Sequence, residues 1–223
     1  MTNDGNRSII EAGSEKSMDY IKNAAYYFEI KRPGYHVVKY NPKADYSINL
    51  SNLSDFVNKG LSDACRNVAE EGSMIQREVL ILADLNNGTH VYREVGNYGT
   101  VGGRDFWKFL AAHAEGKFAF VHNHPNDGFL SAADMQTFAG NKQIQLMIST
   151  SNDGLKRIAY GNIKQSSVVF YHLYKNDIEI LRNKIRSGKL DDVEYVFELE
   201  KLIVSNAIKD FANLGFWEVD GRV

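Results

Sequence analysis

The spacing of apolar residues changes along the chain, and each change predicts an element. After a polar opening, Ala24 to Ile30, with Tyr26, Tyr27 and Phe28, reads as a strand. The turn Arg32-Pro33-Gly34 then leads to Tyr35-His36-Val37-Val38-Lys39-Tyr40 as its hairpin partner. From Ser51 or Ser54 to about Glu71 the residues Phe56, Val57, Leu61, Ala64, Cys65 and Val68 recur every three or four positions despite Gly60, which predicts a helix that Gly72 ends. Glu78 to Ala83 is apolar on both faces, as a covered central strand requires, and Asn86-Asn87-Gly88 turns it into a second strand over Thr89 to Glu94. Arg104 to Glu115 carries Phe106, Phe109, Leu110 and His113 at helical spacing, with Gly116 as a stop. Further strands are expected at Phe118 to Val121, Ile144 to Thr150, Leu155 to Tyr160 and Val168 to His172. Asp177 to Ser187 and Asp191 to about Asn213 are helical candidates, and the tail Phe216-Trp217-Glu218-Val219 is placed to dock as a strand.

This succession predicts an α/β fold, a mixed central sheet flanked by helices. Residues 1–18 read as a flexible polar tail, 19–74 as an N-terminal hairpin with a helical extension, 75–174 as the core and 175–223 as a C-terminal helical cap. In the last helix Val196, Leu199, Ile203, Ala207, Phe211 and Leu214 form a stripe that Leu202, Val204 and Ile208 widen. A stripe so wide needs a cover. An intrachain cap is expected, and a homodimer through these helices is the alternative.

Composition narrows the function classes. The 223 residues are 43% hydrophobic and 24% charged, ordinary for a globular protein, with a formal charge of -2 and no long Lys/Arg run, so nucleic-acid binding is not expected. Cys65, the single cysteine, has no partner for an intrachain disulfide and suits a buried helix face. No apolar segment is long enough for a secretory signal or a membrane span, so a cytoplasmic protein is expected, with host-cell delivery or secretion without a signal peptide compatible with the same pattern. The glycines from Gly96 to Gly103 lack the order and the lysine of a phosphate-binding loop.

The chemistry concentrates in Phe118-Ala119-Phe120-Val121-His122-Asn123-His124-Pro125 and the residues after it. Alternation in a strand puts His122 and His124 on one face, and Pro125 keeps His124 extended. Ser131 is a good helix N-cap with Asp134 at the third helical position, the spacing of a capping box, in a helix running to about Ala139 before Gly140. Two imidazoles and a carboxylate form a common catalytic set for Zn2+, so His122, His124 and Asp134 are the candidate metal ligands. The plain alternative is a surface turn whose histidines pair locally. His113 fits a core-edge position better than a third imidazole ligand, Met147 fits core packing, and Trp107 either seals the core or forms a substrate wall.

His-x-His-Pro followed by Ser-x-x-Asp resembles the signature of the JAMM (MPN-plus) metalloproteases, which include deubiquitinating isopeptidases and bacterial and phage relatives. Six residues, Pro125 to Leu130, separate the second histidine from the serine, one fewer than in the better-known isopeptidases. The likeness is therefore to the short-loop phage-associated and toxin-associated bacterial branch, and a ubiquitin-type substrate is not implied. The resemblance spans roughly residues 75 to 170. It implies the layered architecture that JAMM proteins share with cytidine deaminases, and a zinc-dependent peptidase or isopeptidase acting on a peptide or protein. In that reading Glu78 activates a zinc-bound water and Ser131 helps stabilise the oxyanion, although capping competes for the same hydroxyl. Glu94 is the alternative glutamate. A noncatalytic, metal-stabilised interaction or structural protein remains a competing class, as does a DNA-repair-associated relative. Deaminase chemistry itself expects a Pro-Cys-x-x-Cys run, which a chain with one cysteine lacks.

Overall fold

A computed structural model describes residues 38–96, 101–125, 130–161, 179–180, 183–184, 186–188 and 215–223. The strand at Ala24 to Ile30, most of its hairpin partner, the strand at Val168 to His172 and the long helix from Asp191 lie outside the described residues, as does any dimer surface on that helix.

Helix α1 (Asp55–Ile75) begins where Ser54 Oγ accepts the Val57 N–H at 3.4 Å. Its buried face is Val57, Leu61, Ala64, Cys65, Val68 and Ala69, whereas Phe56, from the predicted apolar set, is 79% exposed. The helix continues one turn past Gly72, the predicted stop, and ends at Gln76, which takes the left-handed conformation (φ 54°) and donates its N–H to the Gly72 carbonyl. Gly72 serves close approach instead, because a Cβ there would lie 2.1 Å from Asn123 Nδ2. Gly60, in mid-helix, lets α1 cross the Gly88 turn, where a Cβ would come 2.0 Å from the Gly88 carbonyl oxygen.

The strands are β1 (Val79–Asp84), β2 (His90–Val95), β3 (Phe118–His124), β4 (Ile144–Ser151), β5 (Leu155–Tyr160) and β6 (Gly215–Asp220), in the sheet order β2-β1-β3-β4-β5-β6. Among the described strands only β3 and β4 run parallel; the other pairs are antiparallel. The parallel pair requires a crossover, and helix α3 (Ala132–Gly140) provides it, while α2 (Arg104–Ala112) lies between β2 and β3 in sequence. The tail predicted to dock as a strand is β6, paired along β5 from Gly215 to Asp220. Of the preceding helical candidate, residues 179–180, 183–184 and 186 are helical, with the Ser187 N–H donating to Asn183 O at 3.0 Å.

Alternation divides the core between the two sheet faces. Val79, Ile81, Ala119, Val121, Leu146, Ile148 and Ile158 pack under α1. Leu80, Leu82, Phe118, Phe120, Met147 and Ala159 pack against Phe106 and Leu110 of α2 and Met135 and Phe138 of α3. The result is a mixed sheet between helical layers. His122 and His124 share the parity of Phe118 and Phe120, so they emerge on the α2/α3 face at the carboxyl end of β3, where the chain leaves for the crossover helix.

Candidate metal centre

His122 and His124 are buried in β3, and their Nε2 atoms lie 2.9 Å apart. The Phe120 ring packs beside His122 with a centroid distance of 5.2 Å. Asp134 enters from the first turn of α3, held by both halves of a capping box. Its N–H donates to Ser131 Oγ at 3.1 Å, and its Oδ2 accepts the Ser131 N–H and hydroxyl, each at 2.7 Å. The carboxylate thus spans the two imidazoles, with Oδ1 3.3 Å from His122 Nε2 and Oδ2 3.2 Å from His124 Nε2.

These separations test the fit to a metal. A tetrahedral zinc with bonds of about 2.0 to 2.1 Å sets its donor atoms roughly 3.3 Å apart. Donor separations of 2.9, 3.3 and 3.2 Å match one triangular face of such a polyhedron. Among the described residues, His122, His124 and Asp134 are the one group of three ligand-type side chains gathered in this way. Protonation favours the same use. Burial drives the His122 pKa below its usual value, with Asp134 opposing, so the ring is a neutral donor at neutral pH. Burial alone would raise the Asp134 pKa, but the charge and hydrogen bonds of His122 and His124 outweigh it and hold the carboxyl well below the usual range.

Glu78 lies one residue before β1, although the sequence predicts that it opens the strand, and it is 8% exposed. The β1–β3 pairing begins with Leu80 opposite His122, two residues after Glu78. Its carbonyl accepts the Gly96 N–H at 2.8 Å. The alternative, Glu94, has other work: Oε2 accepts the Tyr92 hydroxyl at 2.6 Å, and Oε1 accepts the N–H groups of Gly102 and Gly103 at 3.1 and 2.8 Å, at the start of α2. Ser131 is half-buried, with its hydroxyl hydrogen directed to Asp134.

The other residues weighed from the sequence lie away from this centre. His113 caps α2 at the surface, stacked on Phe109 with centroids 4.1 Å apart. Met147 is in the core, Trp107 packs edge-on against Phe106 and remains partly exposed, and burial pushes the Cys65 thiol up to about 12. Two residues around the site escape sequence reasoning. Asn123, between the histidines on the opposite face, binds the chain around Glu78. Ser149 pairs in register with His122, and its Oγ is buried without a hydrogen-bond partner among the described residues. Asparagine and serine are common in any sequence, and only the strand register gives these two a meaning.

No helix among the described residues is long and apolar enough to cross a membrane. Comparison with protein-family models, with curated proteins and with solved structures gave no match.

Proposed function

We propose that this chain is a zinc-dependent hydrolase of peptide or isopeptide bonds, related in its site to the short-loop branch of the JAMM metalloproteases. The observation that carries the reading is the meeting of two strand imidazoles and a helix-capping carboxylate at the mutual spacing of zinc ligands. His122, His124 and Asp134 would hold the ion, and three protein ligands leave one tetrahedral position open. Bound there, zinc supplies Lewis-acid polarisation of a carbonyl and makes water acidic enough to attack near neutral pH.

The protein groups do the rest. Glu78, two residues before the Leu80–His122 pair, accepts a proton from the attacking water and delivers it to the departing amine. Ser131 fixes the Asp134 carboxylate through the capping box, and its hydroxyl, on leaving Oδ2, can donate to the oxyanion of the tetrahedral intermediate. The position of His122 and His124 at the carboxyl end of β3, in the parallel pair with β4, supports this reading, because ligands commonly bind at that end of a parallel unit.

Metal analysis and a broad screen of quenched-fluorescent peptides test the two halves. Wild-type protein is expected to hold one zinc per chain, H122A to lose it, and E78Q to keep the zinc while losing cleavage. Absence of stoichiometric zinc from the wild type overturns the site, and full cleavage by E78Q overturns the role of Glu78. A zinc-bound wild type that cleaves no peptide or isopeptide points to a metal-stabilised interaction protein.

A further inference from the structure

Resting on that reading of Glu78, we propose that Asn123 is a positioning residue for the proton-transfer step, holding the backbone on both sides of Glu78 in register with the metal-binding strand. The backbone pairing of β1 with β3 runs from Asp84 to Leu80, opposite Phe118 to His122, and stops short of Glu78. Beyond that point the Asn123 side chain takes over. Its Oδ1 accepts the Val79 N–H at 2.7 Å, and its Nδ2 donates to the Arg77 carbonyl at 3.2 Å. A side-chain amide offers the same donor and acceptor as a peptide group, so Asn123 extends the pairing across the residues that flank Glu78.

Three features make the grip specific. Asn123 is fully buried, and its Nδ2 also reaches Asn152 Oδ1 at 3.4 Å, so the amide is braced from the β4–β5 turn. Gly72 of α1 closes over it, since a Cβ at Gly72 would lie 2.1 Å from Nδ2, 2.5 Å from Cγ and 2.6 Å from Oδ1. By strand alternation Asn123 points away from His122 and His124, so it acts on chemistry only through the chain it holds. The His-Asn-His order thus puts ligands on one face and a clamp for the general base on the other.

The test uses the full-length, zinc-loaded protein and one quenched-fluorescent peptide that the wild type cleaves. N123A is expected to lower kcat about 10- to 100-fold, the loss typical of a displaced catalytic group, with KM and zinc affinity by chelator competition each within about twofold of wild type. G72A, which forces the amide aside without altering it, should reproduce the defect. N123D, which keeps the acceptor for Val79 but sets an acceptor oxygen against the Arg77 carbonyl and Asn152 Oδ1, should be at least as impaired as N123A. The Val79 amide should exchange with solvent at least about tenfold faster in N123A than in the wild type. Adding N123A to E78Q should cost nothing further in kcat, because the two act as one unit.

A purely structural amide would lower thermal stability while leaving kcat of the folded protein unchanged, and that result overturns the proposal. So does an N123A effect that adds in full to E78Q. If N123A does not fold, G72A and N123D decide by the same measures. E78Q that cleaves at the wild-type rate removes the Glu78 reading itself, whereas inactive E78Q beside fully active N123A and G72A removes only the positioning role. A wild type that cleaves no peptide or isopeptide removes both.

Discussion

At the scale of single residues, the burial and pairing of His122 and Asp134 make stability acid-sensitive once a chelator has removed any metal. Burial lowers the His122 pKa below its ordinary 6.5, so between that value and the depressed one the unfolded chain holds a proton that the folded chain lacks. Stability of the metal-free protein therefore falls as pH drops through 6.5, and Asp134, held below its ordinary 3.8, adds a further loss of the same sign below that pH. Melting temperature against pH in excess chelator should show both limbs, and H122Q should lack the upper one. Ser149 gives a prediction of opposite character. Among the described residues its buried hydroxyl has no hydrogen-bond partner, so S149A should leave stability within about 1 kcal/mol of wild type or raise it, since removing an unsatisfied group removes its desolvation penalty. Denaturant titration reads this directly. At this scale His122, His124 and Asp134 were legible, because ligand chemistry restricts residue type and a two-residue spacing fixes a strand face. Asn123 was not, because its role depends on a strand remote in sequence.

At the scale of elements, α3 is both scaffold and ligand carrier. Ser131 starts the helix and orients the Asp134 carboxylate through Oδ2, so S131A should lower stability by about 0.5 to 2 kcal/mol and weaken zinc binding about 10- to 100-fold. Calorimetry of the metal-free protein and chelator competition separate the two effects; unchanged zinc affinity would leave Ser131 as a cap alone. Helix α1 makes a matching case for packing. G60A should destabilise by about 1 to 3 kcal/mol, because the new methyl meets the Gly88 backbone, which has no side-chain freedom to yield. The element starts were readable from capping residues and turn glycines, as at Ser54, Ser131 and Gly88. The end of α1 was not, because Gln76 adopts the left-handed conformation usually left to glycine, while Gly72 answers to the neighbouring sheet.

At the scale of the molecule, the sheet joins pieces far apart in the chain. Strand β6 covers the outer edge of β5, and Arg157 of β5 bonds Glu218 of β6 at 3.0 Å. Removing residues 215–223 would expose β5 as an unpaired edge and leave the buried Arg157 without that carboxylate, so the truncated protein should melt lower and aggregate at concentrations where the intact chain remains dispersed. Light scattering during a thermal ramp checks this. The mixed sheet with flanking helices was legible from the order of strand and helix patterns, but the strand order was not. Periodicity tells which face of a strand is covered, not which strand lies beside it.

The three candidate ligands come from one unbroken stretch of sequence, His122 to Asp134, while Glu78 is 44 residues upstream of the first of them. On the proposed function, ion capture would be encoded locally, whereas turnover would wait on a distant segment closing a long loop. On that reading, a variant whose Glu78 segment is displaced would lose turnover before it loses the ion, so metal content alone would mistake an inert copy for a working one.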